Sequence, residues 1–387
     1  MQVTRRTFLG SVAAIPIAAT LPRSSTPRVA VIGAGAFGGW TALQLRRLGA
    51  SVTLVDAWGP GNARASSGGE TRVIRAIYGG NRTYAEMVKR ASELWDGIDP
   101  SVYVETGALW MHRGDDAYTR SSVPILKELG FAVEQLTIDD AAKRYPQIDF
   151  RDVKTVWLEK RAGALAARRA CMLVRDAFQK AGGSYRTAHV DWTPSGVKLD
   201  DGSRLEADVY VFACGPWLGK VFPDVPIAPT RQEIYFFGTP RGTDRFRAAK
   251  LPVWVDFGER LFYGVPDVDG RGFKIADDTR GEDFDPTGGD RTPSAEGIAR
   301  ARRLLTERFP QLANAPLVEA RVCQYENSPD GHLILDRHPK HANVFIAGGG
   351  SGHGFKLGPA VGELMARRIM QERALPEMFG FARLQQR

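Results

Sequence analysis

The chain has 387 residues, of which 43% are hydrophobic and 25% are charged, and its formal net charge at pH 7 is +8. This composition is typical of a globular protein and excludes intrinsic disorder and fibrous repeats. The basic residues are spread along the chain and do not form one block with interleaved aromatic residues, so nucleic acid is not an expected partner. A single core stops growing at roughly 250–300 residues, and we therefore expect two lobes.

The N-terminus carries the pattern of an export signal. Arg5 and Arg6 precede Phe8 and Leu9, and the mild apolar run that follows is far shorter than the ~20 residues that span a bilayer. We expect a twin-arginine signal peptide over residues 1–26, with an amphipathic helix or a retained anchor as the alternatives. The twin-arginine translocase is then a partner during export. The mature protein is expected to be periplasmic or secreted, without stable membrane insertion.

A dinucleotide-binding unit follows the signal. Residues 29–32 read as a buried strand, a GxGxxG turn and a helix come next, and a second strand ends on Asp56. The glycines allow a tight turn and close approach to a pyrophosphate, while Asp56 is placed to bind ribose hydroxyls. A glycine-rich turn in an unrelated α/β domain is the alternative, and the unit does not separate NAD from FAD. The turn residues predicted to contact the nucleotide are Gly33, Gly35, Ala36, Phe37 and Gly38.

Two later stretches also join a strand to a glycine-rich turn. The first, "VYVFACGPWLG", places Gly215 and Trp217 after a buried strand. The second, "NVFIAGGGSGHGFKLGP", precedes the C-terminal helix, where free backbone N–H groups favour anions. A nucleotide with a large tricyclic head would contact both turns. The candidate contacts in the second turn are Gly350, Gly352, His353, Gly354 and Lys356.

The cysteines and histidines do not predict a metal site. The three cysteines form an odd set without a CxxC pair, which indicates neither a disulfide framework nor a zinc site. Cys171 and Cys214 are expected to be structural. His338 and His341 have metal-like spacing but no companion cluster of ligands, so no metal is expected.

The chain resembles the glycine-oxidase and sarcosine-oxidase branch of the D-amino-acid-oxidase-like flavoproteins. The motifs that carry the resemblance are the GxGxxG unit, "GETRVIRAIYG", "ACGPWLG", "FYGVPDVDGRGFKIA" and "CQYENSPDGHLILDRHPKHANVFIAGGGSGHGFKLGP". The resemblance implies an α/β protein with an α+β substrate lobe, in which a Rossmann-like FAD domain is interleaved with a mixed-sheet substrate domain. The implied FAD domain comprises residues 27–90, 150–225 and 318–387, and the substrate domain comprises residues 91–149 and 226–317.

The same resemblance implies covalent FAD. In the family motif C-x-Y-x-x-[ST]-P-[DE] the cysteine carries the flavin through a thioether to its ring methyl group, and Cys323 occupies that position. A reactive thiolate needs positive charge nearby to lower its pKa. The alternative is that Cys323 merely packs against the ring as a small buried side chain. The resemblance also places Arg72 and Val190 at the cofactor.

Two pairs of cations follow from the resemblance. Arg75 and Lys356 match a clamp for the substrate carboxylate, for which a forked guanidinium and a point charge are suited. Arg72 and Lys274 match residues beside the flavin ring, where the lysine speeds electron transfer to oxygen by stabilising developing superoxide. The alternative for each cation is a solvated surface charge.

Aromatic and variable positions complete the predicted substrate side. Tyr263 and Tyr325 match tyrosines that contact the substrate, with aromatic packing as the alternative. We expect His353 to hold its loop and not to move protons. Three positions depart from sarcosine oxidases, in which Asp278 and Gly68 correspond to histidines and Gly80 to a glutamate. Asp278 indicates a polar or cationic side chain on the substrate.

We therefore expect a monomeric, exported FAD-dependent oxidoreductase acting on the CH–NH group of a secondary amino acid, either N-methyl or cyclic. The imine and H2O2 would be its products, with O2 as acceptor. No side chain is an obvious strong base near the α-carbon, which favours transfer of a hydride or its equivalent to the flavin over proton abstraction. The alternatives are a flavin dehydrogenase that reduces a quinone or protein acceptor, a non-catalytic flavin- or amino-acid-binding protein, and an NAD-linked dehydrogenase.

Overall fold

The structure is a computed structural model, and it describes residues 26–384. The predicted signal peptide over residues 1–26 therefore lies almost wholly outside the described residues. Within the described range no helix is both long enough and apolar enough to cross a membrane.

The described residues form many short strands, which are numbered in chain order. These are β1 (Arg28–Ile32), β2 (Ser51–Asp56), β3 (Thr71–Ile74), β4 (Tyr103–Glu105), β5 (Ala108–His112), β6 (Val133–Leu136), β7 (Thr155–Glu159), β8 (Gly163–Ala166), β9 (Ser184–Thr187), β10 (Val190–Thr193), β11 (Gly196–Leu199), β12 (Arg204–Leu205), β13 (Val209–Phe212), β14 (Ala228–Phe237), β15 (Val253–Phe257), β16 (Leu261–Val265), β17 (Phe273–Asp277), β18 (Leu317–Asn327), β19 (Ile334–Arg337) and β20 (Val344–Gly348).

The α-helices of the same range lie between groups of these strands. They are α1 (Ala36–Arg47), α2 (Arg82–Asp96), α3 (Ala117–Glu128), α4 (Ile138–Arg144), α5 (Ala167–Lys180), α6 (Leu218–Val221), α7 (Ala295–Arg308) and α8 (Gly358–Gln371). Three of them begin at a residue whose side chain accepts a hydrogen bond from a backbone N–H of the first turn, which satisfies a donor that the helix leaves free. These residues are Asn81 before α2, Thr137 before α4 and Ser294 before α7.

A six-stranded sheet forms the first lobe, with the strand order β19-β20-β13-β1-β2-β9. Strand β1 is central and pairs in parallel with β2 and β13, whereas β19 is an antiparallel edge. Helices α1, α5 and α8 pack against one face, and the small sheet β10-β11-β12 covers the other. Because both faces are covered, the central strands are apolar throughout and do not alternate.

Two glycines of the first turn are required by close backbone approach. A Cβ atom at Gly33, which has φ +105°, would lie 2.3 Å from the carbonyl oxygen of Ala213 at the end of β13. A Cβ atom at Gly38 would lie 1.8 Å from the carbonyl oxygen of Gly33. The glycine spacing therefore brings α1 tightly against the carboxyl ends of β1 and β13.

An eight-stranded mixed sheet forms the second lobe, with the order β18-β14-β17-β16-β15-β5-β7-β6. Only β15 and β5 pair in parallel among these strands; the other neighbours are antiparallel. Alternate residues point to opposite faces, so Phe262 packs in the core beneath α7 while its neighbour Tyr263 faces the other way. The face that carries Tyr263 looks toward the first lobe.

The architecture is the predicted mixed α/β fold with two lobes, and this prediction is confirmed. The exact division of the chain between the lobes stays a prediction. Two strands of the eight-stranded sheet, β7 and β18, come from ranges that the sequence analysis assigned to the FAD domain.

Candidate functional site

A cavity of about 680 Å³ lies between the two lobes. Its walls come from the turns after β1, β13 and β20 on one side and from β14, β15, β16 and β18 of the large sheet on the other. In open α/β sheets a ligand binds outside the carboxyl ends of the parallel strands, which is where this cavity opens. Every residue that the sequence analysis assigned to cofactor or substrate lines it except Gly38 and Lys274.

The turn after β1 provides a cradle for a diphosphate. Gly35 precedes α1, whose first turn contains no acidic side chain. The carboxylate of Asp56 accepts hydrogen bonds from Ala34 N at 2.7 Å, Trp58 N at 2.9 Å and Gly59 N at 2.8 Å. Asp56 thus fixes two turns at once, and it also lines the cavity, as its predicted ribose contact requires.

Three aromatic side chains, Trp58, His189 and Trp217, lie together at one end of the cavity, and the sequence analysis predicted only Trp217. Trp217 was predicted, and its ring centroid lies 5.0 Å from that of Trp58. The ring of Trp58 in turn lies 5.2 Å from His189, beside the predicted residue Val190. Trp58 and His189 come from two turns with no motif, so nothing in the sequence pointed to them.

The second glycine-rich loop is held by His353. Its Nδ1 lies 3.1 Å from the hydroxyl of Tyr78, and its Nε2 lies 3.0 Å from the carbonyl oxygen of Gly331. Burial, together with the charge of Lys356, lowers the pKa of His353 to about 3, so the ring is neutral and donates from Nε2. These contacts give His353 a structural role in the loop.

The predicted carboxylate clamp is assembled around one tyrosine ring. The guanidinium carbon of Arg75 lies 4.1 Å from the ring centroid of Tyr78, and Nζ of Lys356 lies 5.0 Å from the same centroid. Arg75 donates to the carbonyl oxygen of Ile77, and Lys356 donates to that of His353 at 2.8 Å. Burial, aided by Arg75, lowers the pKa of Lys356 well below its usual value. An anion bound between the two cations would stabilise the charged form of Lys356.

Behind the clamp lies a buried acid that the sequence analysis missed. Glu159, at the end of β7, is fully buried and accepts hydrogen bonds from the backbone N–H groups of Ala76 and Ile77. Burial raises the pKa of Glu159 to about 7, against the opposing effect of these donors and of Arg75. Glu159 therefore holds the backbone that follows Arg75. A single glutamate in an apolar strand carries no sequence signal of this role.

Cys323 lies beside the first of the predicted flavin-side cations. Nη2 of Arg72 lies 3.8 Å from its sulfur atom, and the guanidinium also donates to the carbonyl oxygens of Thr71 at 2.8 Å and Ser66 at 2.5 Å. Cys323 is half-buried and lines the cavity.

Lys274 lies just beneath the cavity wall. It is 1% exposed, and its Nζ donates to the carbonyl oxygen of Thr71 at 2.9 Å. Burial is the main cause that lowers its pKa to about 7, and Arg72 adds to the effect. Its charge is therefore set by pH near neutrality.

Tyr263, Tyr325 and Asp278 form a connected polar group on the large sheet. The hydroxyl of Tyr325 donates to Oδ1 of Asp278 at 2.7 Å, and Tyr263 interacts with both residues. Burial raises the pKa values of all three, with Tyr263 reaching about 12. The hydroxyls thus remain protonated donors over the physiological range.

The other two departures from sarcosine oxidases have different settings. A Cβ atom at Gly68 would lie 1.8 Å from the carbonyl oxygen of Asn62, so no larger residue fits this turn. Gly80 is exposed, and no atom lies within 4 Å of the Cβ position that another residue would occupy. Neither residue lines the cavity.

The remaining cysteines and the histidine pair have structural settings. Cys171 is buried in α5, and burial raises its pKa to about 12. Cys214 lines the cavity, and its sulfur contacts the carbonyl oxygen of Ile32 at 3.7 Å. His338 and His341 pack against aromatic rings. Among residues 26–384 no three His, Cys, Asp or Glu side chains are grouped so that they could hold a metal ion.

The family model for FAD-dependent oxidoreductases (DAO) matches residues 28–368. The chain belongs to this family. It is 31% identical over 355 residues to monomeric sarcosine oxidase of Bacillus sp. (strain B-0618), covering 88% of this chain and 91% of the relative. It is 28% identical over 352 residues to N-methyl-L-tryptophan oxidase of Salmonella heidelberg (strain SL476), covering 87% and 92%.

Solved structures share the fold. L-proline dehydrogenase from P. horikoshii superposes with a TM-score of 0.82 at 21% identity, covering 93% of this chain and 98% of that one. Amadoriase I from Aspergillus fumigatus superposes with a TM-score of 0.76 at 22% identity, covering 92% and 89%. The protein is thus an FAD-dependent oxidoreductase, as the sequence analysis predicted.

The cavity residues fit FAD. The Gly33 and Gly35 turn would hold the diphosphate at the start of α1, and Asp56 is available for a ribose hydroxyl. Oε2 of Glu326 is a buried polar atom of the cavity wall that has no hydrogen-bond partner among the described residues, and it lies near Gly215 and Gly350. Burial raises the pKa of Glu326 to about 7. A cofactor hydroxyl would satisfy this atom, which supports the fit.

Proposed function

We propose that the protein oxidises a secondary amino acid, N-methyl or cyclic, to its imine, and that O2 accepts the electrons and becomes H2O2. The observation that carries the proposal is the pair of cations formed by the half-buried Arg75 and the buried Lys356, in the same cavity as Tyr263 and Tyr325. Bound FAD would supply the two-electron acceptor. The named relatives, monomeric sarcosine oxidase and N-methyl-L-tryptophan oxidase, also support an N-methyl amino acid as the substrate class.

The chain's own residues would orient the substrate. Arg75 can bind a carboxylate through two parallel N–H groups, and Lys356 adds a point charge on the same ring of Tyr78. Three aromatic side chains line the cavity beside the clamp, and the ring centroids of Trp110, Tyr118 and Phe257 lie 6.0–6.5 Å from one another. This wall favours an apolar ring or N-substituent and excludes water from the reacting carbon.

From Asp278 we expected a substrate with a polar or cationic side chain. The aromatic wall does not support it, and Asp278 already accepts from Tyr325 and lies 3.6 Å from Nη1 of Arg280. We therefore propose that the substrate carries an apolar ring or N-substituent, and that Asp278 has a role other than binding the substrate side chain.

Anaerobic mixing with N-methylglycine, proline or pipecolate is expected to bleach the visible absorbance of the flavin. Arg75→Met should raise the substrate concentration for half-maximal bleaching by about 30-fold or more, because removing one member of a buried charge pair costs 2–5 kcal/mol. Arg64→Met, which changes an exposed arginine that does not line the cavity, is the control. A flavin that no amino acid reduces would instead support a non-catalytic binding protein.

We also propose that Cys323 carries the FAD covalently, which the nearby guanidinium of Arg72 supports. After acid precipitation the parent protein should keep its yellow colour in the pellet, whereas Cys323→Ala should release FAD into the supernatant. Cys214→Ala, which changes another thiol of the same cavity, should behave like the parent. Release of the flavin from the parent protein would contradict the thioether.

The role in oxygen reduction that we propose for Lys274 has a pH signature. Lys274→Met is expected to slow reoxidation of the reduced enzyme by about 100-fold while flavin reduction changes little, because a preorganised charge that stabilises a transition state contributes about that much. The ammonium form predominates below the pKa of about 7 and is lost above it, so reoxidation of the parent should slow as pH rises through 7.

Stopped-flow mixing of reduced enzyme with air measures this rate. Lys220→Met, which changes an exposed lysine, should leave the pH profile intact. Equal losses in both half-reactions would contradict the role of Lys274. Slow reoxidation of the parent itself would favour a dehydrogenase that reduces a quinone or protein acceptor.

We further propose export by the twin-arginine pathway and a monomeric state, which the Arg5–Arg6 pair and the complete cavity within one chain support. The N-terminal sequence and the sedimentation of protein recovered from the periplasm would test both. An uncleaved N-terminus in the cytoplasmic fraction would contradict export.

A further inference from the structure

Asp278 is the acid of the cavity wall that faces the clamp. Among the described residues, two acids act electrostatically on both Arg75 and Lys356, namely Glu159 and Asp278. Glu159 is buried behind the clamp and its oxygens accept from backbone N–H groups, whereas Asp278 lines the cavity. An amino acid held by its carboxylate carries its ammonium group one carbon away. Of these two acids, Asp278 is the one that shares the cavity with that group.

The surrounding residues fix Asp278 and its partner Tyr325. The ring of Tyr325 lies flush against the glycine loop, since a Cβ atom at Gly352 would lie 2.7 Å from it. Arg280 covers the outer side, with its guanidinium carbon 5.2 Å from the ring centroid and its Nη2 donating to the carbonyl oxygen of Ser351 at 2.7 Å. The Tyr325 hydroxyl consequently points at Oδ1 of Asp278 and is held there.

The reaction requires a neutral amine, because the nitrogen lone pair must move into the C=N bond of the imine. An amino acid in solution near neutral pH carries an ammonium group instead. The cavity wall and its surroundings hold Arg72, Arg75, Lys356 and the nearby Lys274, and these cations destabilise a further positive charge. The bound ammonium is therefore ready to lose a proton if an acceptor lies within reach.

Building on the proposed function, we propose that Asp278 accepts the ammonium proton of the substrate, with Tyr325 as the relay. One N–H bond of the ammonium breaks and its electron pair stays on nitrogen. The proton passes to the oxygen of Tyr325 while the hydroxyl proton of Tyr325 passes to Oδ1 of Asp278. A neutral amine and a neutral carboxylic acid result. The side chain of Asp278 is 30% exposed, so it can return the proton to solvent.

The charges around Asp278 agree with this role. Burial raises its pKa, which makes it a better proton acceptor, while the Tyr325 hydrogen bond and the cations Arg280, Arg75 and Lys356 oppose the rise. Tyr263, on the adjacent strand, also interacts with Asp278. Below the raised pKa the carboxyl is already protonated and cannot accept, so flavin reduction should fall at acid pH.

Asp278→Asn in the flavin-loaded enzyme tests the role. With N-methylglycine, anaerobic flavin reduction at pH 7 should slow by about 100-fold, the lower range for loss of a proton acceptor. The rate should recover as pH rises toward the pKa of the free ammonium, because the substrate then arrives neutral. Tyr325→Phe should show the same recovery. An alkylthioacetate, which has the carboxylate but no amine, should perturb the flavin spectrum with an affinity within about twofold of the parent.

Asp277→Asn is the matched control. Asp277 is the preceding residue, and its carboxylate pairs with Arg260 at 2.6 Å and Arg300 at 3.8 Å, away from the Tyr325 chain. It should leave the reduction rate and its pH profile unchanged.

Three results would overturn the inference. Asp278→Asn with an unchanged pH profile would remove the acceptor role. Equal weakening of alkylthioacetate and N-methylglycine would show that Asp278 only maintains the shape of the cavity. A loss of flavin reduction confined to substrates with cationic side chains would show that Asp278 recognises the substrate side chain instead. A parent enzyme that binds alkylthioacetate but is reduced by no amino acid would contradict the proposed function instead, and this inference with it.

Discussion

Four cations lie at or near the seam between the two lobes: two buried lysines, Lys274 and Lys356, and two half-buried arginines, Arg72 and Arg75. Their hydrogen-bond partners determine what the seam can bind. Each donates to a backbone carbonyl oxygen, which fills a hydrogen-bonding requirement without cancelling the charge. The donor and acceptor pairs are Arg72 and Lys274 with Thr71, Arg75 with Ile77, and Lys356 with His353. A carboxylate partner would have neutralised each cation. The seam instead keeps a positive field for an anionic ligand.

Two acids, Glu159 and Asp278, lie near these cations and partly offset their positive charge. Glu159 is behind Arg75, and its oxygens accept from the backbone that follows. Asp278 is on the opposite wall and accepts a hydrogen bond from the hydroxyl of Tyr325. One acid thus supports the clamp from the protein side, and the other faces the ligand. Burial raises the pKa values of both acids, that of Glu159 to about 7.

Local features of the sequence were sufficient to predict the residues at the nucleotide-binding end of the cavity. Gly33, Gly38 and Asp56 lie within one unit, and their roles follow from backbone geometry that the spacing alone specifies. The clamp could be named only through the family resemblance, because Arg75 and Lys356 are remote in sequence and meet on one ring in space. Glu159 and Trp58 were missed for the same reason: their partners lie on other segments, and no motif surrounds either residue.

The lobe boundaries show a similar limit. The family resemblance assigned residues 318–387, and with them nearly all of strand β18, to the FAD domain. Its hydrogen bonds instead join it to β14 in the large sheet, opposite Thr230 and Gln232. Pairing between strands separated by about ninety residues leaves no trace in local composition, since it depends on how the whole sheet is ordered.

Strand β18 also carries two cavity residues on one rigid element. Cys323 and Tyr325 are two residues apart, so they project from the same face about 7 Å apart. Extended backbone hardly stretches, and the ladder with β14 holds the register. A shift of the strand would therefore move the thiol and the phenol together. The distance between them is set by the backbone of the strand, so point substitutions elsewhere in the sheet cannot lengthen or shorten it.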